Sequence, residues 1–191
     1  MPPRYSIITP TLCRESLLRA CASVDSQTNA SWEHLISVDV PLVVDARARS
    51  VIDRVKKDPR RQIIRCGKQH RNFGNTCRHN MQALANGEYL IYLDDDNFYA
   101  DADVLRTLEA VTGQWAIYPL LRVGVERMDI PPGKCKTDAG QIIHRRGLTM
   151  WPDNDKYVAD GDMIEDLISK APYQILRTRP LLVYEQTSRG R

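Results

Sequence analysis

The apolar positions of this chain change period repeatedly, and each change marks an element. Arg4-Tyr-Ser-Ile-Ile-Thr9 reads as a strand ended by Pro10, and His34-Leu-Ile-Ser-Val-Asp39 as a second strand that finishes on an acid. Between them, Leu17, Leu18, Cys21 and Val24 recur at helical spacing and predict a helix from Thr11 to Gln27. Arg47 to Arg61 places Val51, Ile52 and Val55 on one helical face, and Gln62-Ile-Ile-Arg-Cys66 reads as a short third strand. The stripe Cys77, Met81, Leu84 predicts another helix, capped by Thr76 or Asn75 and stopped by Gly87. It delivers the chain to Glu88-Tyr-Leu-Ile-Tyr-Leu, a nearly continuous apolar run suited to a central strand buried on both faces.

The second half is less regular. Asp103 to Thr112 reads as a helix with Val104, Leu105, Leu108 and Val111 facing in, and Trp115 to Leu121 and Gln141 to His144 read as strands. Pro131-Pro-Gly-Lys is a turn-rich loop, and Gly147 to Asp155 an exposed loop carrying Trp151. Ala159 to Lys170 returns to helical period, with Met163, Ile164, Leu167 and Ile168 as its buried face. Strands alternating with helices predict an α/β fold with a mainly parallel sheet. We expect one domain over residues 1–191, divided functionally at about residue 100.

Composition narrows the class. A 42% hydrophobic share supports a real core, and a net charge of +3 is too small to argue for nucleic acid or an anionic membrane. The five cysteines are scattered without metal-ligand spacing, and Cys21 and Cys77 fall on apolar helix faces, which reads as reduced core thiols. With no apolar run long enough for a bilayer and no signal-peptide core at the N-terminus, the expected location is cytoplasmic. The basic run Arg54 to Arg61 reads as a solvated face.

The chemistry concentrates where the apolar run ends, at Asp94-Asp95-Asp96. Three adjacent carboxylates repel one another, and a divalent cation such as Mg2+ or Mn2+ removes that repulsion with hard oxygen ligands. The alternative is a solvated acidic turn before the next helix. Thr9-Pro10-Thr11 offers backbone groups and hydroxyls at the sheet's carboxyl edge, where open α/β sheets bind ligands. Asp39 reads either as a turn residue or as an acceptor for a nucleobase or ribose. Arg78, in the first turn of its helix, opposes the helix dipole and calls for a neighbouring anion or base.

Tyr5-Ser-Ile-Ile-Thr-Pro-Thr11, Trp32 to Asp39, Arg78-His-Asn80 and Gly87 to Asp96 together resemble the nucleotide-binding half of family 2-type glycosyltransferases with the GT-A fold. The likeness covers about the first 110 residues well and the rest loosely. It implies a metal-dependent, inverting transfer of a sugar from a nucleoside diphosphate sugar, most often of uridine, to a hydroxyl acceptor. By resemblance, Asp39 would recognise the nucleobase, Thr9, Pro10 and Thr11 would line nucleobase and ribose, and Arg78 would reach the nucleobase or phosphates. Asp96 would bind Mn2+ or Mg2+ directly, and Asp94 or Asp95 would hold the ribose or metal-bound water, with Asp94 a second candidate ligand.

In the same likeness, Asp160-Gly-Asp162 matches the acidic motif holding the catalytic base. Asp162 aligns best, with Asp160 as alternate or N-cap and Gly161 in place of the usual glutamate. Trp151 either stacks on the acceptor or packs. The late histidine found in many relatives is missing: the four histidines, 34, 70, 79 and 144, all precede Asp162. Gln186, Glu185 or water would replace it, and the terminal arginines would close over the diphosphate or form a tail. A sugar nucleotidyltransferase and a non-catalytic nucleotide-sugar-binding module remain as alternatives, although Thr9 to Arg14 lacks the nucleotidyltransferase's glycine-rich loop.

Overall fold

The computed structural model describes residues 1–40 and 45–184. In chain order these form β1 (Tyr5–Thr11), α1 (Ser16–Asp25), β2 (Trp32–Val38), α2 (Ala46–Val55), β3 (Arg61–Arg65), α3 (Asn75–Leu84), β4 (Tyr89–Tyr92) and β5 (Asn97–Tyr99). Then come α4 (Val104–Thr107), β6 (Trp115–Ile117), β7 (Leu120–Arg122), β8 (Val125–Arg127), β9 (Ile142–Arg145), α5 (Ala159–Lys170), β10 (Gln174–Ile175) and β11 (Leu182–Tyr184). Glu185, Gln186 and the terminal arginines lie outside the described residues.

Among the described residues the strands make two sheets. The larger runs β10-β6-β9-β4-β1-β2-β3 and is parallel except for β9, which is antiparallel to both neighbours. One face packs Tyr5, Ile7, Tyr89 and Ile91 against Ala20, Val24 and Val104, and the other packs Ile8, Leu90 and Tyr92 against Met81, Met163 and Ile164. Helices on both faces explain why β4 has no polar side: all four of its residues are buried. The smaller sheet, β5-β11-β7-β8, stands at the end of the chain's acidic turn. No helix of the described residues is long and apolar enough to cross a membrane.

Three local expectations are corrected. β1 does not stop at Pro10 but continues to Thr11, pairing Pro10 with Ser37 and Thr11 with Val38. The Ile8 carbonyl accepts from Leu93 of the β4 side, and the Thr11 carbonyl accepts from Asp39 of the β2 side. By the two-residue period Pro10 faces the β4 side, beyond the end of β4, so its missing N–H costs no ladder bond. The run Trp115 to Leu121 splits at Tyr118-Pro119, leaving β6 in the large sheet and β7 in the small one.

Gly87 is the third. It does not cap α3, which ends at Leu84 with Ala85 as its C-cap. A Cβ at Gly87 would lie 2.5 Å from the Ser6 backbone nitrogen, so glycine is required for close approach to β1. The buried Glu33 carboxylate organises this contact, accepting from Ser6 Oγ at 2.6 Å, Asn86 N at 2.6 Å and Gly87 N at 3.1 Å. Gly87→Ala is therefore expected to destabilise the fold by about 1–3 kcal/mol through overpacking against backbone. Urea unfolding checks this: an unchanged midpoint contradicts the contact.

Candidate active site

Because β1, β2 and β4 are parallel neighbours, the segments that follow them emerge at one sheet edge. β4 runs through Leu93 into a turn closed by the Asn97 amide donating to the Asp94 carbonyl at 3.0 Å. That turn carries Asp94, Asp95 and Asp96, and the chain then enters β5 of the small sheet.

The three aspartates have different surroundings. Asp95 is buried and accepts from Thr11 Oγ1 at 2.6 Å, so it anchors the turn to β1 rather than facing a ribose. Burial pushes its carboxyl up to about 6, against the Thr11 hydrogen bond and Arg14, with Asp96 and Asp94 adding repulsion. Asp96 is half-buried, its side chain 3.6 Å from the Arg14 guanidinium, which lies equally near Asp95. Asp94 is the most open of the three and pairs with Arg78.

Arg78 is buried and doubly engaged. Its guanidinium donates to the Phe73 carbonyl at 2.8 Å and to Asp94, while Nε has no partner among the described residues. The anion that this first-turn cation calls for is the protein's own Asp94, so Arg78 positions a carboxylate instead of projecting toward phosphates. The ring of Trp151 covers it, with the guanidinium 4.6 Å from the ring centroid.

Although the sequence predicts an exposed loop here, that contact favours the packing alternative for Trp151 over acceptor stacking. It is 2% exposed, and its indole donates to Asn75 Oδ1 at 3.0 Å. Asn75 also donates to the Asn154 and Lys156 carbonyls, both at 2.9 Å. Neither Asn75 nor Thr76 therefore caps α3; Gly74 occupies the cap at φ 78, where a Cβ would come within 2.8 Å of Pro10. Thr9 is corrected as well: its hydroxyl is fully buried on His34 Nε2 at 2.9 Å and cannot line a nucleotide. Pro10 stays half-buried at the edge, and Thr11 acts through Asp95. Asp39 is 4% exposed, and its Oδ1 accepts from the His70 amide at 2.8 Å.

The start of α5 separates the two remaining acids. Asp162 is turned onto Lys134 and lies 3.8 Å from Lys156, and the Lys134 hydrogen bond holds its carboxyl below the usual range. Asp160 is not the N-cap, which is Val158. Burial raises its carboxyl, Arg78 opposes the rise, and Asp94 adds to it. Asp160, not Asp162, therefore shares the field of the Asp94–Arg78 pair. Gly161 lets Lys134 approach, since a Cβ there would meet Lys134 Cγ at 2.6 Å and Cα at 3.1 Å.

Asp138 joins this group without warning from the sequence. Burial raises its carboxyl to about 6, with Asp94 the next contributor. Its Asp138-x-x-Gln141 spacing signals only a capping box, which the structure contains. Asp94 and Asp96 on the turn offer hard oxygen donors of the kind that suit Mg2+ or Mn2+, and half-buried Asp138 and Asp160 feel the charge of Asp94.

Residues 6–134 match the family model described as Glycosyl transferase family 2. The chain belongs to that family. No curated protein matches its sequence. Among solved structures, residues 1–349 of S. aureus TarS match this chain with a TM-score of 0.77 at 12% identity, over 95% of this chain and 60% of that one. The same TarS fragment in complex with UDP-GlcNAc gives 0.77 at 13% identity, over 94% and 58%. The mannosyltransferase PcManGT from Pyrobaculum calidifontis, in complex with GDP-Man and Mn2+, gives 0.73 at 15% identity, over 100% and 59%. These likenesses show the GT-A fold, and the chain spans about 60% of the length of these solved chains.

Proposed function

We propose that this transferase moves a sugar from a nucleoside diphosphate sugar to a hydroxyl of a glycan or other acceptor, with inversion at C1 and a bound Mn2+ or Mg2+. The observation that carries the reading is the acidic turn Asp94–Asp96 at the carboxyl end of β4, with Asp94 paired to Arg78 and its charge felt by Asp160 of α5. Relatives of the same fold bound to UDP-GlcNAc, or to GDP-Man with Mn2+, support it. UDP sugars are the first donors to test, and a cytoplasmic setting is part of the proposal.

In this reading Asp96 and Asp94 hold the cation, which when bound offsets the charge of the departing diphosphate. Arg78 fixes Asp94, and Thr11, through buried Asp95, fixes the turn that carries both. Asp160 takes the acceptor proton as the hydroxyl oxygen bonds to C1 and the C1–diphosphate bond breaks. The burial that raises its carboxyl makes it the better proton acceptor, whereas Asp162 is neutralised by Lys134. With Trp151 covered, the exposed edge-to-face pair Phe73 and Tyr157, 5.1 Å between centroids, is the aromatic surface offered to an acceptor sugar.

Incubation with a panel of nucleotide sugars and Mn2+, followed by assay of slow donor hydrolysis, tests the reading. Sugar release is expected; pyrophosphate exchange or binding without turnover contradicts it. Within the pocket, Asp39→Ala is expected to weaken nucleotide binding by roughly 1.5–3 kcal/mol, about 10- to 150-fold, through loss of a charge-assisted hydrogen bond to the nucleobase. Calorimetry that finds unchanged affinity for the preferred nucleotide removes Asp39 from recognition.

A further inference from the structure

Beside the acidic mouth, four side chains that ligate metals meet although they come from separate parts of the chain. Asp39 follows β2, Cys66 follows β3, His70 lies in the next loop and Cys77 sits in the first turn of α3. One ligand atom from each lies within 4.8 Å of every other. Cys66 Sγ is 3.3 Å from Cys77 Sγ, and His70 Nδ1 is 2.9 Å from Asp39 Oδ1. On a tetrahedral zinc with bonds of about 2.0–2.3 Å, ligand atoms stand about 3.3–3.8 Å apart. The two short pairs would part by a few tenths of an ångström, and the remaining pairs, all within 4.8 Å, would close by about 1 Å at most to seat the ion.

We propose that Asp39, Cys66, His70 and Cys77 form a structural zinc site that braces the nucleotide side of the cleft. Two thiols, an imidazole and one carboxylate are a borderline-soft set, unlike the all-oxygen set at Asp94 and Asp96. The competing account is a pair of reduced core thiols beside an ordinary Asp–His contact. Core thiols stand among apolar groups, yet Cys66 touches the Ser37 hydroxyl at 3.1 Å and shares its cluster with a carboxylate and an imidazole. The cysteines that look unspaced in the sequence acquire a ligand pattern here: Cys66, His70 and Cys77 within one short segment, and Asp39 from the adjacent strand.

The site also has something to hold. Residues 67–74 contain no helix or strand, and Gly67, Arg71, Phe73 and Gly74 all have positive φ, between 58° and 78°. For Arg71 and Phe73 that conformation is unfavourable unless the surroundings impose it. Zinc at Cys66, His70 and Cys77 would pin both ends and the middle of this loop, whose Phe73 carbonyl holds Arg78. Asp39 can serve both purposes, because a carboxylate has one oxygen for a metal and another for a nucleobase. Binding would release the two thiol protons.

The test uses the full chain, reduced, stripped with chelator and kept anaerobic, titrated with Co2+ and then Zn2+ without any nucleotide. Roughly one equivalent of cobalt is expected to give thiolate-to-cobalt charge-transfer absorption and four-coordinate visible bands, both abolished by zinc. A double variant, Cys66→Ser with Cys77→Ser, should lose these bands, and Asp96→Asn should keep them. Should the double variant fail to fold, His70→Ala keeps both thiols and is expected to weaken cobalt affinity about tenfold or more and alter the visible bands. No thiolate–cobalt band in the wild-type chain overturns the site, as does a full band in the double variant or unchanged cobalt affinity and spectrum in His70→Ala. Because no donor enters the titration, its failure is separable from failure of the transferase reading.

Discussion

Asp96→Asn is expected to lower sugar transfer by on the order of 100- to 1,000-fold or more, with the fold intact. The substitution keeps the shape and removes the charge, and a neutral amide is a poor ligand for a hard dication. The main alternative is that the turn needs no cation, since Arg14 lies 3.6 Å from Asp95 and Asp96 and Arg78 holds Asp94. The exposure figures weigh against that. The Arg14 side chain is 52% exposed, so its attraction is screened by water, whereas Asp95 is nearly buried. Asp94 also raises the cost of ionising Asp138. Excess chelator should reproduce the loss in the wild type, and Mn2+ or Mg2+ should restore it. Full activity in the variant, or in chelator, sinks the metal assignment and leaves Arg14 as the charge on the diphosphate.

The parts legible in the sequence are those where one local signal decides the structure. β4 is read correctly because a strand covered by helices on both faces must be apolar throughout, and β2, fully buried from Trp32 to Val38, follows the same rule. The acidic turn is legible because three carboxylates end such a run. What the sequence hides depends on partners distant in the chain. Nothing in Trp115 to Leu121 announces that its two halves enter different sheets, since β7 pairs with β11, more than fifty residues later. Trp151 looks like a loop aromatic until Asn75 and Arg78 close over it. The short strands Asn97–Tyr99 and Leu182–Tyr184 have no period to detect; among the described residues they pair with each other, and Leu182–Tyr184 also with β7.

The same limit governs the acids of α5, and there it produces the prediction with the clearest mechanistic content. Asp160 and Asp162 are two residues apart on one helix, so they point in different directions, and only the neighbours of each decide which faces the chemistry. Lys134 and Lys156 take Asp162, while Asp94 and Arg78 act on Asp160. Asp160→Asn is nearly isosteric and cannot take a proton, so it is expected to cut kcat by roughly 100- to 10,000-fold while donor affinity stays near wild type. Asp162→Asn loses ion pairs with substantially exposed lysines, which water screens to a weak interaction, and should retain most activity. The measurements are kcat with the natural acceptor, donor affinity by calorimetry, and the thermal midpoint of each variant. A wild-type kcat in Asp160→Asn together with an inactive, folded Asp162→Asn returns the base to Asp162 and requires Lys134 to swing away when the acceptor binds. If both variants transfer at normal rates, neither acid is the base, and Asp138, the other half-buried carboxyl that feels Asp94, becomes the group to replace.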